Sequence, residues 1–192
     1  MPQVTILDKV VPVEFLIGEA PPFVMDQPAL IRGLEDVAHL INTTAWEKEQ
    51  SDTFNALKKI VFFEGIIEVN GHRLDRPCCD EDDQIFYWEA NEFMANTDSK
   101  VRAHTLFHDC FHIIQYWRKR TFANGEKERI DREVEAIDRQ IEVAQRLGAH
   151  QTYITFLEDF KNDQDRLSRR LAEGVQMRHD KHEIRPPSTH LA

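Results

Sequence analysis

Apolar and polar positions divide the chain into a mixed first half and a helical second half. Residues 4–17 are β-branched and apolar but interrupted by Pro12, a pattern that predicts an irregular edge strand or extended arm. Ala20-Pro21-Pro22 breaks it. From Pro28, the run from Ala29 to Ile41 has the three-and-four spacing of a helix, with proline at a permitted first-turn position. Residues 46–56 also read as helical. Residues 58–64 suit the end of a helix or the start of a strand, and their β-branched and aromatic side chains favour strand. Asn70-Gly71 between residues 66–69 and 72–74 signals a two-residue hairpin. Residues 76–83 read as a polar loop, and residues 84–89 as a short strand.

Three amphipathic stretches follow. In residues 101–117 the apolar set is Val101, Leu106, Phe107, Cys110, Phe111, Ile113, Ile114 and Trp117, and Asn96, Thr97, Asp98 and Ser99 offer caps before it. Residues 128–147 form a second helix ending at Gly148. Residues 150–176 form a third, long one with Tyr153, Ile154, Phe156, Leu157, Phe160, Leu167, Leu171 and Val175 apolar, packed antiparallel on the second. Apolar surface left over on these carboxy-terminal helices would suit a homodimer. Residues 178–192 are polar and proline-broken, and disorder is expected there.

The first of these helices carries candidate chemistry. His104, His108 and His112 lie at successive i, i+4 steps and so point the same way. Two can share an ion, but three cannot, because His104 and His112 are separated by about 12 Å of helical rise against metal–nitrogen bonds of about 2 Å. The pair His108 and His112 stands out because Asp109 follows the first, giving His-Asp-Cys-Phe-His. That is His-Glu-x-x-His with one methylene missing, a helix in which two imidazoles hold Zn²⁺ and the carboxylate acts as base on the water the ion activates. Nine histidines in 192 residues give about 0.4 His-x-x-x-His pairs by chance, and requiring an acidic second residue leaves about 0.07. Against the metal reading stands the ordinary one, in which histidines on an apolar helix face are hydrogen-bonded core residues.

The order strand, His-x-x-x-His helix, short polar loop and helix with Glu133-Val134-Glu135-Ala136 resembles the minigluzincins, compact zinc metallopeptidases of the gluzincin branch of zincins. The resemblance covers about residues 60–147. It implies that Glu135 is the third zinc ligand, with Glu133 as the fallback, and that Asp109 takes the catalytic position where the family has glutamate. A carboxylate drawn back by about 1.5 Å costs on the order of a hundredfold in rate, so metal binding is better supported than peptidase activity. The resemblance also implies that residues 84–89 form an edge strand able to pair with an extended peptide. His104 stays open as an alternative ligand, and first-row ions other than zinc suit the same donors.

Composition narrows the remaining possibilities. With 41% hydrophobic residues, a chain of this length suits one domain, residues 1–177, with 178–192 as a tail. A net charge of −10 argues against nucleic acid and anionic membranes as partners. Cys78, Cys79 and Cys110 are too few to imply a disulfide framework; Cys110 reads as core, and Cys78 and Cys79 most simply as small residues after Pro77. The first ten residues lack a basic start and long apolar run, so a cytoplasmic protein is expected. His39, His150 and Tyr153 read as structural, although His150 and Tyr153 lie where an outer hydrogen-bond donor could originate. The sequence thus predicts an α+β, zincin-like domain: a short sheet packed on an active-site helix and a glutamate-ligand helix, followed by a long terminal helix. Its expected function is zinc-dependent hydrolysis of a peptide or protein substrate. The alternatives are a catalytically weak relative used for binding, or a helical interaction protein without metal.

Overall fold

The computed structural model describes residues 1–19, 25–119 and 125–171. The expected tail and most of the loop after the histidine helix lie outside them. The chain is α+β, with a five-stranded mixed sheet and seven helices among the described residues.

Strands β1 (Gln3–Ile6) and β2 (Lys9–Ile17) open the chain. They are joined by Leu7 and Asp8 at φ 47° and 67°, a turn shape costly for residues with a Cβ. Asn42 holds that turn, accepting from the Leu7 N–H at 2.7 Å and donating to the Thr5 carbonyl at 2.7 Å. Pro12 is tolerated because β2 changes partner there. Its residues up to Pro12 pair with β1, and those from Val13 pair with β3 (Lys59–Glu64), so the missing N–H removes no bond from the β2–β3 ladder.

The sheet order is β1-β2-β3-β7-β6, where β6 is Cys78–Asp80 and β7 is Ile85–Glu89. The strands β2, β3 and β7 are parallel, and β1 and β6 run antiparallel at the two edges. Two expectations are corrected here. Residues 76–83 are not all loop, since they contain β6; and β7 is not an edge strand, because β3 and β6 occupy both its sides. The continuous apolar run of β3 follows from burial on both faces. Ile60, Phe62, Phe86 and Trp88 face the helices, while Val61, Phe63 and Tyr87 pack beneath the separate hairpin of β4 (Ile67–Val69) and β5 (His72–Leu74).

Helix α1 (Gln27–Thr43) begins with Asp26, which accepts from the Ala29 N–H at 3.0 Å, and α2 (Lys48–Asn55) with a Glu47/Gln50 capping box. A short α3 (Ala90–Ala95) leads into α4 (Ser99–Lys119), the histidine helix. Arg102 ties these together. It is buried, donates to the Phe93 carbonyl from Nε at 3.0 Å and Nη2 at 2.9 Å, and lies 3.9 Å over the Phe93 ring. Gly33 of α1 meets this knot: a Cβ there would stand 2.6 Å from Arg102 Nη1 and 2.9 Å from Phe93 Cε1. Gly33→Ala is therefore expected to destabilise despite a helix-propensity gain of about 1 kcal/mol, since overpacking costs about 1–3 kcal/mol. A melting temperature lowered by a few degrees is the expected readout; an unchanged or raised one would show that the knot yields.

Helix α5 (Glu126–Arg146) runs antiparallel to α4, and α6 (Gln151–Asn162) folds back on α5 through Ile137, Ile141, Ala144, Ile154, Leu157 and Phe160. The expected single helix over 150–176 is interrupted at Asp163. Asp163 leaves helical geometry and caps a further helix, α7 (residues 164–171), accepting from the Arg166 N–H at 3.0 Å. Among the described residues, no helix is long and apolar enough to cross a membrane.

Candidate metal centre

The centre lies between α4 and α5. Burial of Val101, Leu106, Phe107, Cys110, Phe111 and Ile113 fixes the rotation of α4 about its axis. His108 and His112 consequently emerge one turn apart toward α5, half-buried, with their rings nearly perpendicular and 4.7 Å between centroids.

On α5 the inward face is Glu133, Ala136, Ile137, Gln140, Ile141 and Ala144. Glu133 belongs to that face, at three, four, seven, eight and eleven residues before its other members. Glu135 is about 200° further round the helix axis and exposed. Helical phase thus places Glu133, the fallback candidate, against the imidazoles, and does not bring Glu135 to them.

Three donor atoms converge. His108 Nε2 and His112 Nε2 are 3.0 Å apart, and the Glu133 oxygens lie 3.5 Å from the first and 3.2 Å from the second. A tetrahedral ion with bonds of about 2.0–2.1 Å sets its ligand atoms about 3.3 Å apart, so this triangle can hold one. Among the described residues it is the group of histidine, cysteine and acidic side chains so arranged. Glu133 is buried, which by itself would push its carboxyl up; the two imidazoles outweigh that and hold it well below the usual carboxylate range.

Asp109 follows His108 and is half-buried. Burial pushes its carboxyl up, His108 and His112 oppose this, and Glu133 adds to it. Asp109 therefore shares the electrostatic environment of the triangle without being one of its corners.

His104 is not drawn into the cluster. It is 2% exposed, with Nδ1 2.9 Å from Gln140 Nε2. Burial, assisted by His108 and opposed by Asp98, lowers its pKa to about 4. Since the unfolded chain takes up this proton first, His104 supports the fold fully above about pH 6.5 and progressively less toward pH 4. Chelator-treated protein at pH 4.5 is expected to lose about 2–3 kcal/mol more, relative to pH 7, than the His104→Gln variant does, read from urea midpoints. Equal losses would contradict this.

Gln115 went unnoticed in the sequence. It is buried, with Oε1 2.9 Å from His112 Nδ1 and Nε2 2.9 Å from both the Arg132 carbonyl and Glu135 Oε2. Its signal was a lone amide within the apolar run Ile113-Ile114-Gln115-Tyr116-Trp117, three residues after a ligand candidate. The other candidates lie outside the cluster: His39 and Tyr153 are on the surface, His150 caps α6 by accepting from the Thr152 N–H at 3.2 Å, and Cys110 is core with its thiol pushed up by burial.

Compared with protein-family models, curated proteins and solved structures, the chain gives no match.

Proposed function

We propose that this protein is a zinc-dependent hydrolase of the zincin type, with His108, His112 and Glu133 as ligands and a peptide or protein as substrate. The observation that carries the proposal is the convergence of two imidazole nitrogens and a carboxylate within 3.0–3.5 Å of one another on two packed helices. Zinc held by such a His₂Glu set would keep a fourth position open for water, lower that water's pKa and polarise a carbonyl. The minigluzincin resemblance, with Glu133 in place of Glu135, favours the peptide bond as substrate. Asp109 is assigned the proton-handling role: it accepts a proton from the attacking water and returns it to the leaving amine.

One observation favours a second reading, a metal-binding relative with weak or no catalysis. Aspartate brings its carboxylate less far forward than glutamate, and a misplacement near 1 Å costs on the order of a hundredfold. The expected peptide pairing at β7 is unsupported as well, since β7 is interior to the sheet. The test is hydrolysis of a fluorogenic peptide library by zinc-loaded protein. The hydrolase reading expects cleavage that disappears with chelator and in Glu133→Ala; zinc-loaded protein that cleaves nothing would leave the binding reading.

A further inference from the structure

We infer that Gln115 is a positioning residue that sets the tautomer of His112 before any ion binds, and that Glu135 is the outer clamp holding Gln115 in place. The inference rests on the metal-site reading for its purpose but not for its geometry.

Gln115 has one amide oxygen and one amide nitrogen to distribute among three neighbours. Two are the Arg132 carbonyl and a Glu135 carboxylate oxygen, each 2.9 Å from Gln115 Nε2. A backbone carbonyl can only accept, and a carboxylate accepts likewise, so the amide NH₂ must face them. The reverse orientation would put oxygen against oxygen twice at a side chain that is itself 4% exposed. The amide oxygen must therefore face His112 Nδ1, 2.9 Å away. An amide oxygen only accepts, which makes Nδ1 the protonated nitrogen. In the neutral ring Nε2 then carries the lone pair; it lies 3.0 Å from His108 Nε2, whose N–H can donate to it, and 3.2 Å from a Glu133 oxygen that only accepts, a contact which opposes this tautomer and which the Gln115 bond must outweigh.

The sequence-level candidate ligand Glu135 thus acquires another role. It lies off the inward face of α5, yet its carboxylate reaches Gln115, and through Gln115 it acts on a histidine it does not touch. The presetting is confined to one ligand, because His108 Nδ1 is buried with no hydrogen-bond partner among the described residues. Loss of an outer partner of this kind weakens metal binding by about 10–100-fold.

The test uses protein labelled with ¹⁵N-histidine and stripped with chelator, at a pH where the imidazoles are neutral, with His112 assigned by its disappearance in His112→Asn. The expected spectrum has His112 protonated at Nδ1 and bare at Nε2. Gln115→Leu should lose that preference and bind zinc about 10–100-fold more weakly. Glu135→Gln keeps an oxygen to accept from Gln115 and should retain both the tautomer and near-native affinity, whereas Glu135→Ala should fall between. His112 protonated at Nε2 in the stripped wild type, or a tautomer unchanged in Gln115→Leu, would overturn the inference. Should Gln115→Leu fail to fold, the wild-type spectrum and the Glu135→Gln against Glu135→Ala comparison still decide it. A preset tautomer in a protein that binds no zinc would sustain the inference and remove the metal reading, so the two fail separately.

Discussion

Glu133→Ala is expected to abolish tight zinc binding, while Glu135→Ala retains the stoichiometry at reduced affinity. The difference follows from helical phase. Glu133 shares the buried face of α5 with Ala136, Ile137 and Gln140 and meets both imidazoles at 3.2 and 3.5 Å, whereas Glu135 is exposed and contacts Gln115. Removing Glu133 leaves two nitrogens and a cavity, and the affinity should fall by well over the roughly 100-fold that an outer partner costs. The change also removes the pairing with two imidazoles that outweighs the carboxylate's burial, so some loss of stability accompanies it; competition titration against a chromogenic chelator measures the affinity, and circular dichroism shows that the variant remains folded. A Glu135→Ala protein that lost zinc while Glu133→Ala kept it would restore the ligand assignment suggested by the family resemblance.

Asp109→Asn is the second large effect. An asparagine keeps the shape of the side chain but cannot take a proton, so peptide hydrolysis should drop by about 10²–10⁴-fold with zinc content unchanged. Asp109→Glu complements it by extending the carboxylate. If glutamate raises the rate, native Asp109 is short of the catalytic position and the protein is a weakened relative; if it lowers the rate, the site is built around aspartate. Rates in Asp109→Asn equal to wild type would remove Asp109 from the chemistry.

The sequence was most legible where one local pattern sufficed. The helix after Pro28, the Asn70-Gly71 hairpin and the histidine helix each have a period and a boundary residue, and each is present. Residues 58–64 suit either a helix end or a strand for a physical reason: a strand buried on both faces shows no alternation, so only its β-branched and aromatic residues identify it. Strand β6 was hidden because it is three residues long, paired on one side, and set in an acidic stretch. The break at Asp163 did have a signal, an Asn162-Asp163 pair able to cap the next helix, which the continuing apolar period concealed.

At the site, the histidine pair was readable because both imidazoles lie on one helix at fixed spacing. The carboxylate that meets them was not, because the choice between Glu133 and Glu135 depends on which face of α5 meets α4. The apolar positions Ala136, Ile137, Ile141 and Ala144 already held that information, and assigning the helix phase from them selects Glu133. Gln115 depended on a contact across two helices, with Arg132 and Glu135 at separations of 17 and 20 residues, beyond the reach of any local pattern.

The most direct test of the central claim is the metal content of untagged wild-type protein purified without chelator. About one zinc per chain is the predicted result, as expected if His108, His112 and Glu133 hold one ion with one position open. Folded protein that carries no zinc and takes up none on addition of the ion would contradict it, and would leave His108, His112 and Glu133 as a hydrogen-bonded pairing between two helices.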